Sequence, residues 1–154
     1  MDALDLRPEA LTSPVARSLI AALDAELSAR YPEEGSTHFR LDVDEVSEGR
    51  GTFYVAYRND EPVGCGALRS IGPDTAEIKR MYVAPTARRQ GVGVRLLLAI
   101  EAKARELGLA RIVLETGARQ LAAMALYERH GYERIPAFGE YVISPLSVCM
   151  GKTL

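Results

Sequence analysis

The sequence predicts an α+β or α/β fold in which helices pack on one mixed β-sheet. Two observations carry this prediction. The apolar spacing changes along the chain between helical and alternating periods, and clusters of glycine, proline, asparagine and aspartate separate the segments. The predicted order is a helix, a three-strand meander, a helix, a strand, a helix and one or two final strands. The 154 residues show no repeat or linker, so we expect one domain spanning 1–154.

The first helix is predicted from Pro14 to about Arg30. Ser13 and Pro14 form an N-cap and first-turn pair, and the apolar residues that follow recur at helical spacing. Residues 31–50 are polar, and we interpret them as a mostly irregular, mobile segment. They either line an acceptor site suited to a cationic amine or form a solvated face, and His38 is a candidate substrate contact. The segment contains six acidic residues: Glu33, Glu34, Asp42, Asp44, Glu45 and Glu48.

An antiparallel meander is predicted from about residue 51 to residue 83. Its strands are GTFYVAYR, EPVGCGALRS and TAEIKRMYV, joined by turns at Asn59-Asp60 and Gly72-Pro73-Asp74. Strict alternation along the third strand would place Ile78, Arg80 and Tyr82 on one face. The other face would then carry Glu77, Lys79, Met81 and Val83.

The second half of the chain alternates helices and strands. A loop from Ala84 to Gln90 precedes a helix from about Gly91 to Leu107, which Gly108 ends. RIVLET is predicted as a short buried strand, and QLAAMALYERH as a helix closed by Gly131. The tail holds one or two strands and ends in SVCMGKTL.

The composition limits the classes of partner and site. A net charge of −2 gives no general attraction to nucleic acid or to an anionic membrane, and no apolar stretch is long enough to span a bilayer. The acidic N-terminus does not resemble a signal peptide, so we expect a cytoplasmic protein. Cys65 and Cys149 are interpreted as small core residues. His38 and His130 lack metal-ligand spacing, so no metal site is expected, and His130 is predicted at a helix C-terminus.

The stretch RRQGVGVRLL, residues 88–97, has the features of an anion site. Gly91 and Gly93 allow a ligand to approach the backbone closely at a helix start, where free N–H groups and the helix dipole favour negative charge. A dinucleotide fingerprint would need a third glycine where Leu96 stands, and a Walker A loop would need a following Gly-Lys-Ser/Thr. The remaining alternative is a glycine-softened helix start with solvated arginines.

These residues resemble a motif of the GNAT superfamily of N-acetyltransferases. Arg88-Arg89-Gln90-Gly91-Val92-Gly93 is similar to the family's R/Q-x-x-G-x-G/A motif, in its expected place between a strand and a helix. Val83-Ala84-Pro85 and AMALYERHG look like two further family segments, so the resemblance covers about residues 51–135. It implies an α/β/α layered fold with a mixed, mostly antiparallel sheet of six to seven strands and about four helices.

The resemblance also implies a cofactor site for acetyl-CoA as co-substrate. The main-chain amides of Gln90, Gly91, Val92, Gly93 and Val94 would hold the pyrophosphate, beside Arg88 and Arg89. The pantetheine arm would pair with the main chain of Met81, Tyr82 and Val83. Gln120 stands where many members carry an asparagine that contacts the cofactor, and it keeps the amide on a longer side chain.

Acetyl transfer to an amine needs a base, oxyanion stabilisation and a proton for the thiolate. By resemblance Glu77 is the base, directly or through water, Tyr127 is the acid, and a main-chain N–H near Val83 meets the oxyanion. The alternatives are a Glu77 paired with Lys79 or Arg80, and a Tyr127 that is only a core aromatic. The predicted function is an N-acetyltransferase for a small-molecule or protein amine.

Other functions and arrangements stay open at this point. A non-catalytic acyl-CoA-binding module on the same fold is the main alternative, and a nucleotide-binding protein is a third. The chain could form a homodimer through the sheet edge or the tail. We expect residues 31–50 and the tail FGEYVISPLS to determine which acceptor binds, but neither segment contains a motif that identifies the acceptor.

Overall fold

A computed structural model describes residues 4–32, 43–47 and 49–154. His38 and four acidic residues of the polar segment lie outside the described residues, so the predictions about them are untested: Glu33, Glu34, Asp42 and Glu48. Of the same segment, residues 43–46 form one short 3₁₀ turn.

The described residues form three α-helices and seven β-strands. The helices are α1 (Pro14–Arg30), α2 (Val92–Glu106) and α3 (Leu121–Arg129). The strands are β1 (Leu4–Pro8), β2 (Gly51–Arg58), β3 (Glu61–Ser70), β4 (Thr75–Val83), β5 (Arg111–Gly117), β6 (Glu133–Arg134) and β7 (Ser147–Thr153).

All seven strands belong to one sheet, in the order β1-β2-β3-β4-β5-β7-β6. Only β4 and β5 pair in parallel, and every other pair is antiparallel. The prediction of a mixed, mostly antiparallel sheet of six to seven strands is confirmed. The described part of the chain has three helices where about four were expected. Strand β1, which pairs with β2 at the edge of the sheet, was not predicted.

Helices cover both faces of the sheet and give the predicted α/β/α layers. On one face α1 packs its buried leucines against β2 and β3, forming a core around Leu23, Phe53 and Ala67. On the other face α2 and α3 pack over β3, β4 and β5 around Leu97 and Ile112. The two faces are the α1 face and the α2/α3 face below.

Local sequence signals set several of these elements. The Ser13 side chain accepts a hydrogen bond from the backbone N–H of Ala16 at 3.0 Å, so α1 begins where its cap predicted. Asn59 and Asp60 have φ of 51° and 64°, the left-handed pair that a two-residue hairpin turn between β2 and β3 requires. Gly108, with φ of 78°, follows α2 as predicted.

The strict alternation predicted for β4 is wrong beyond Lys79. Arg80 has φ of 58°, and the β3–β4 register shifts there, which makes a β-bulge. Lys79 pairs with Ala67 on the α1 face, and the guanidinium of Arg80 also reaches the α1 face, where it bonds Asp24 at 2.6 Å. Met81 packs in the core of the α2/α3 face. The bulge therefore separates Lys79 from Met81, which strict alternation would have placed on one face.

Candidate active site

A cleft opens in the middle of the sheet where β4 and β5 separate. The two strands pair only from Thr75 to Ile78 against Arg111 to Leu114, and beyond that point each continues without the other. The space between them forms a cleft of about 740 Å³, lined by both strands and by residues of all three helices. This volume is in the range of sites that bind organic ligands.

Most of the predicted site residues meet at this cleft. Its lining includes Met81, Tyr82, Val83, Arg88, Arg89, Gly91, Val92, Gly93, Val94, Gln120 and Tyr127. Glu77 and Gln90 do not line it. Two residues without a predicted role, Lys79 and Tyr141, do line it. The end of β4, the glycine turn before α2 and the α3 tyrosine thus line one cleft.

The start of α2 presents main-chain donors to the cleft. Gly91 precedes the helix with φ of 84°, a conformation that favours glycine, and it has no side chain to cap the helix. The N–H groups of Val92, Gly93 and Val94 form the first turn and have no acceptor within the helix. A side chain at Gly93 would contact Leu126 at 3.3 Å and fill space at the cleft wall. The turn can therefore receive an anion.

The two arginines before this turn have different surroundings. Arg88 donates from Nε to the Val83 carbonyl at 2.9 Å and pairs through Nη2 with Glu26 of α1 at 2.6 Å. Arg88 thus ties the loop to the end of β4 and to α1. Arg89, with φ of 64°, is exposed at the cleft. Of the pair, Arg89 is the side chain better placed to meet a phosphate.

The Gln90 side chain points away from the cleft and stabilises the loop. It accepts a hydrogen bond from Arg58 and donates one to the Thr86 carbonyl at 3.2 Å. Its predicted contact with the cofactor concerned the main-chain amide. That prediction is untested.

On the opposite wall, the turn from β5 into α3 holds Gln120 and the end of α1. The Gln120 carbonyl oxygen accepts from the Gly117 N–H at 2.9 Å, so part of this amide already stabilises the turn. Tyr31 accepts from the Arg119 N–H at 2.8 Å. A Cβ at Gly117 would lie 2.0 Å from the Tyr31 hydroxyl oxygen. A larger residue at position 117 would therefore displace the Tyr31 side chain from this contact.

Glu77 is fully buried on the α1 face beside the cleft. One carboxylate oxygen accepts from Arg69 Nε at 2.9 Å and Nη2 at 2.7 Å, and the other accepts from the Tyr141 hydroxyl at 2.7 Å. Arg69 also pairs with Glu45. The ion-pair partner of Glu77 is thus Arg69, and neither Lys79 nor Arg80 holds it. Burial raises the pKa of Tyr141, and the charge of Glu77 raises it further.

Tyr127 lies on the wall opposite the α1 face and reaches the cleft from α3. Its ring is buried edge-on against Tyr132, with ring centroids 5.7 Å apart. Within the described part of the chain, its hydroxyl has no hydrogen-bond partner. Burial raises the pKa of Tyr127, so the group stays protonated and can donate.

Tyr141 and Lys79 are the site residues that the sequence analysis missed. Tyr141 lies in the tail segment that was expected to influence acceptor choice, but it is 64 residues from its partner Glu77. No local pattern reports a contact of that range. Lys79 was placed on the correct face with Glu77, but without a role.

The remaining candidate residues have structural surroundings. Nδ1 of His130 lies 2.9 Å from the Leu126 carbonyl at the end of α3, as predicted. Cys65 and Cys149 are buried core residues, and burial raises the pKa of the Cys65 thiol to about 12. Across the residues that the structure describes, no group of three His, Cys, Asp or Glu side chains could hold a metal ion.

The split sheet and the glycine turn define a class of acyl-CoA-dependent acyltransferases. A provisionally named acyl-CoA N-acyltransferase from Klebsiella pneumoniae superimposes with a TM-score of 0.85 at 37% identity, covering 98% of this chain and 97% of that one. A GNAT family acetyltransferase from Elizabethkingia anophelis, solved with acetyl-CoA bound, shares the fold with a TM-score of 0.70 at 22% identity, with full coverage of both chains (100%).

The chain belongs to the acetyltransferase (GNAT) family, whose model matches residues 17–132. It is an acetyl-CoA-dependent acyltransferase. It is 44% identical over 140 residues to an "IAA acetyltransferase" from Azospirillum brasilense, which covers 88% of both chains. It is also 30% identical over 151 residues to the Escherichia coli N-acetyltransferase YedL, covering 97% of this chain and 94% of that one. None of the helices in the described ranges has the length and apolar character needed to cross a membrane.

Proposed function

We propose that the protein transfers the acetyl group of acetyl-CoA to a primary amine, by direct attack of the amine within a ternary complex. The observation that supports this most strongly is the cleft between β4 and β5, because it is open to both faces of the sheet. The glycine turn and Tyr127 lie toward the α2/α3 face, and Tyr141 lies toward the α1 face. Cofactor and amine can therefore enter from opposite sides and meet between the strands.

The cofactor would lie along β4 toward the start of α2. Its pyrophosphate would accept from the N–H groups of residues 90–94, with Arg89 alongside. The pantetheine would follow the free edge of β4 at residues 81–83 and pair with its main chain. Gln120 would face the pantetheine from the opposite wall through the side-chain N–H₂ that the Gly117 contact leaves unused.

The amine would approach from the α1 face and lose a proton through Tyr141. Glu77 has no exposed surface and does not line the cleft, so the Tyr141 hydroxyl connects its carboxylate to that space. The ammonium would give a proton to the Tyr141 oxygen while the Tyr141 proton passes to Glu77. Glu77 would thus accept the proton indirectly, through the Tyr141 hydroxyl.

The neutral amine would then attack the thioester carbonyl. A carbon–nitrogen bond forms, and the oxyanion is met by a main-chain N–H near the end of β4. Collapse breaks the carbon–sulfur bond, and the thiolate takes a proton from Tyr127. The nitrogen then loses its second proton, which reprotonates Tyr127. The products are the N-acetyl amine, free coenzyme A and one proton.

The test measures release of free coenzyme A thiol with a panel of amines. With an amine that turns over, Tyr127→Phe should lower kcat by about 100-fold, the lower end of general acid catalysis, and leave the KM for acetyl-CoA unchanged. Tyr132→Phe is the matched control, because Tyr132 packs against Tyr127 but does not line the cleft. If acetyl-CoA binds and no amine of the panel is acetylated, the proposal of a primary amine as acceptor fails.

A further inference from the structure

Lys79 lies on the floor of the cleft, at the point where the sheet divides. It is the first residue of β4 beyond the last pair with β5, Ile78 with Leu114. Only 7% of its surface is exposed, and it lines the cleft. A lysine this deeply buried is unusual unless a partner neutralises it.

The described residues give the Lys79 ammonium no hydrogen bond and no ion pair. Glu77 is on the same face two residues earlier, but Arg69 and Tyr141 occupy its two carboxylate oxygens. Burying a charged group without a partner costs several kcal/mol. An anion bound in the cleft would remove that cost.

The anionic groups of the cofactor are too far along β4 to be this partner. The pyrophosphate turn begins at Gly91, and the four steps along the strand from Lys79 to Val83 alone span about 13 Å when extended. The pantetheine arm between the pyrophosphate and the thioester carries no charge. Lys79 lies on the α1 face, where it pairs with Ala67, and the bulge at Arg80 turns Met81 away from that face into the core of the α2/α3 face.

Aromatic and apolar side chains form part of the cleft wall on this face, and the charges of Glu77, Arg69, Glu140 and Glu45 also act on Lys79. Tyr31, Tyr82 and Tyr141 line the same cleft, together with Leu27 of α1. Tyr31, Tyr82 and Leu27 belong to the α1-face core. Such a lining suits the body of an organic molecule, and Lys79 places a positive charge beside it.

We propose that the acceptor carries a carboxylate, and that Lys79 binds this carboxylate on the α1 face of the cleft. The identification of the ligand as the acceptor rests on the proposed function. The presence of an anion site at Lys79 does not. The acceptor class is therefore amino acids or similar amino-carboxylates with an apolar or aromatic body.

The electrostatics of the site agree with this assignment. Burial lowers the pKa of Lys79, and the charges of Glu77, Glu140 and Glu45 oppose that only in part. A bound carboxylate would favour the charged ammonium, as an opposite charge at close range does. The carboxylate of the substrate would then neutralise the Lys79 ammonium.

The first experiment compares amino acids with their carboxamides as acceptors. Glycine, β-alanine, phenylalanine and tyrosine are each paired with the corresponding amide, for wild type, Lys79→Met and Lys79→Arg. Lys79→Met should lower kcat/KM at least tenfold for the carboxylates that turn over and less than threefold for their amides. Lys79→Arg should recover much of the loss, and the KM for acetyl-CoA should not change. Comparing variants on one substrate cancels the different basicity of the two amines.

Thermal unfolding distinguishes a loss of activity caused by a destabilised fold from one caused by a lost carboxylate contact. Because Lys79→Met removes a buried charge to which the described residues give no hydrogen bond or ion pair, its Tm should equal or exceed that of wild type. A Lys79→Met protein that melts normally and acetylates both members of a pair equally poorly would overturn the proposal.

The second experiment needs no acetyl transfer. Phenylacetate and phenylacetamide are titrated by calorimetry into wild type and Lys79→Met with coenzyme A present. Wild type should bind phenylacetate at least tenfold more tightly than phenylacetamide, and Lys79→Met should lose that preference. If no amine is acetylated but this preference is found, the proposed function fails and the anion site stands. If amines are acetylated, Lys79→Met lowers activity equally for both members of each pair, and wild type does not prefer phenylacetate, the anion site fails alone.

Discussion

Two clusters of this protein each combine a buried glutamate with a tyrosine hydroxyl and a positively charged side chain. In one, the Glu77 carboxylate accepts from Tyr141 at 2.7 Å and pairs with Arg69 at 2.7 Å. In the other, Glu101 of α2 accepts from Tyr132 at 2.8 Å and from Lys152 at 3.0 Å. The exposed fractions of the two carboxylates are 0% and 2%, so burial does not distinguish them.

The two clusters differ in their access to the cleft. Tyr141 lines the cleft and donates to Glu77, so in the proposed mechanism it connects the substrate to that carboxylate. Tyr132 lies in the core of the α2/α3 face and does not line it, which leaves Glu101 with a structural role. A buried carboxylate with a raised-pKa tyrosine is therefore insufficient to mark a functional site. What matters is whether one member of the cluster reaches the space where a ligand binds.

The largest difference is expected when each tyrosine loses its hydroxyl. Tyr141→Phe should lower kcat for amine acetylation by about 100-fold or more, since it removes the proton path. Tyr132→Phe should change kcat less than threefold. Both should lose about 1–3 kcal/mol of unfolding free energy, because each leaves a buried carboxylate short of one donor. Steady-state kinetics and urea unfolding measure the two effects. An equal loss of kcat in both variants would mean that access to the cleft does not separate the clusters.

A smaller difference is expected when each cation is replaced. Arg69→Met should lower the free energy of unfolding by about 2–4 kcal/mol, because Arg69 donates twice to Glu77 and also pairs with Glu45. Lys152→Met should cost about 1–2 kcal/mol, since Tyr132 still donates to Glu101. Urea denaturation at neutral pH gives both values. A larger cost for Lys152→Met than for Arg69→Met would show that Glu101 depends more on its cation for stability than Glu77 does.

The smallest effect concerns alkaline pH and should be the same for both clusters. Burial is the first cause that raises the pKa of Tyr132 and of Tyr141, followed for each by its glutamate. The unfolded chain loses these protons near the ordinary pKa of about 10, while the folded protein keeps them. Their stabilising contribution is therefore complete below about pH 10 and is lost as the pH rises above it.

This loss can be measured as a slope. Each tyrosine should contribute at most about 1.4 kcal/mol per pH unit above pH 10. Tyr132→Phe and Tyr141→Phe should reduce the slope of the unfolding free energy equally. Unequal slopes would show that the two hydroxyls differ in the folded protein by more than access to the cleft.

Local signals in the sequence predicted most of the fold and one end of the site. The cap at Ser13, the hairpin pair at Asn59 and the glycine turn at Gly91 each act through the conformation of a few neighbouring residues. Those predictions agree with the structure. The edge strand β1 was missed because five residues beside a sheet edge carry little periodicity.

The acceptor side of the site could not be predicted in the same way. A left-handed residue inside a strand is normally glycine, so arginine at position 80 gave no sign of a bulge. Tyr141 reaches Glu77 only because the tail folds back beside the cleft. Both features depend on packing between segments that are distant in the sequence, and the periodicity of apolar residues does not predict such packing.

The bulge at Arg80 has a consequence for how such enzymes diversify. In the proposed mechanism β4 would present Lys79 to the acceptor on one side of the bulge, and residues 81–83 to the coenzyme on the other. Substitutions at position 79 would then change substrate range while the cofactor contacts keep their geometry. A laboratory that wishes to retarget this enzyme should randomise position 79 and leave Tyr141 and the α2 turn unchanged.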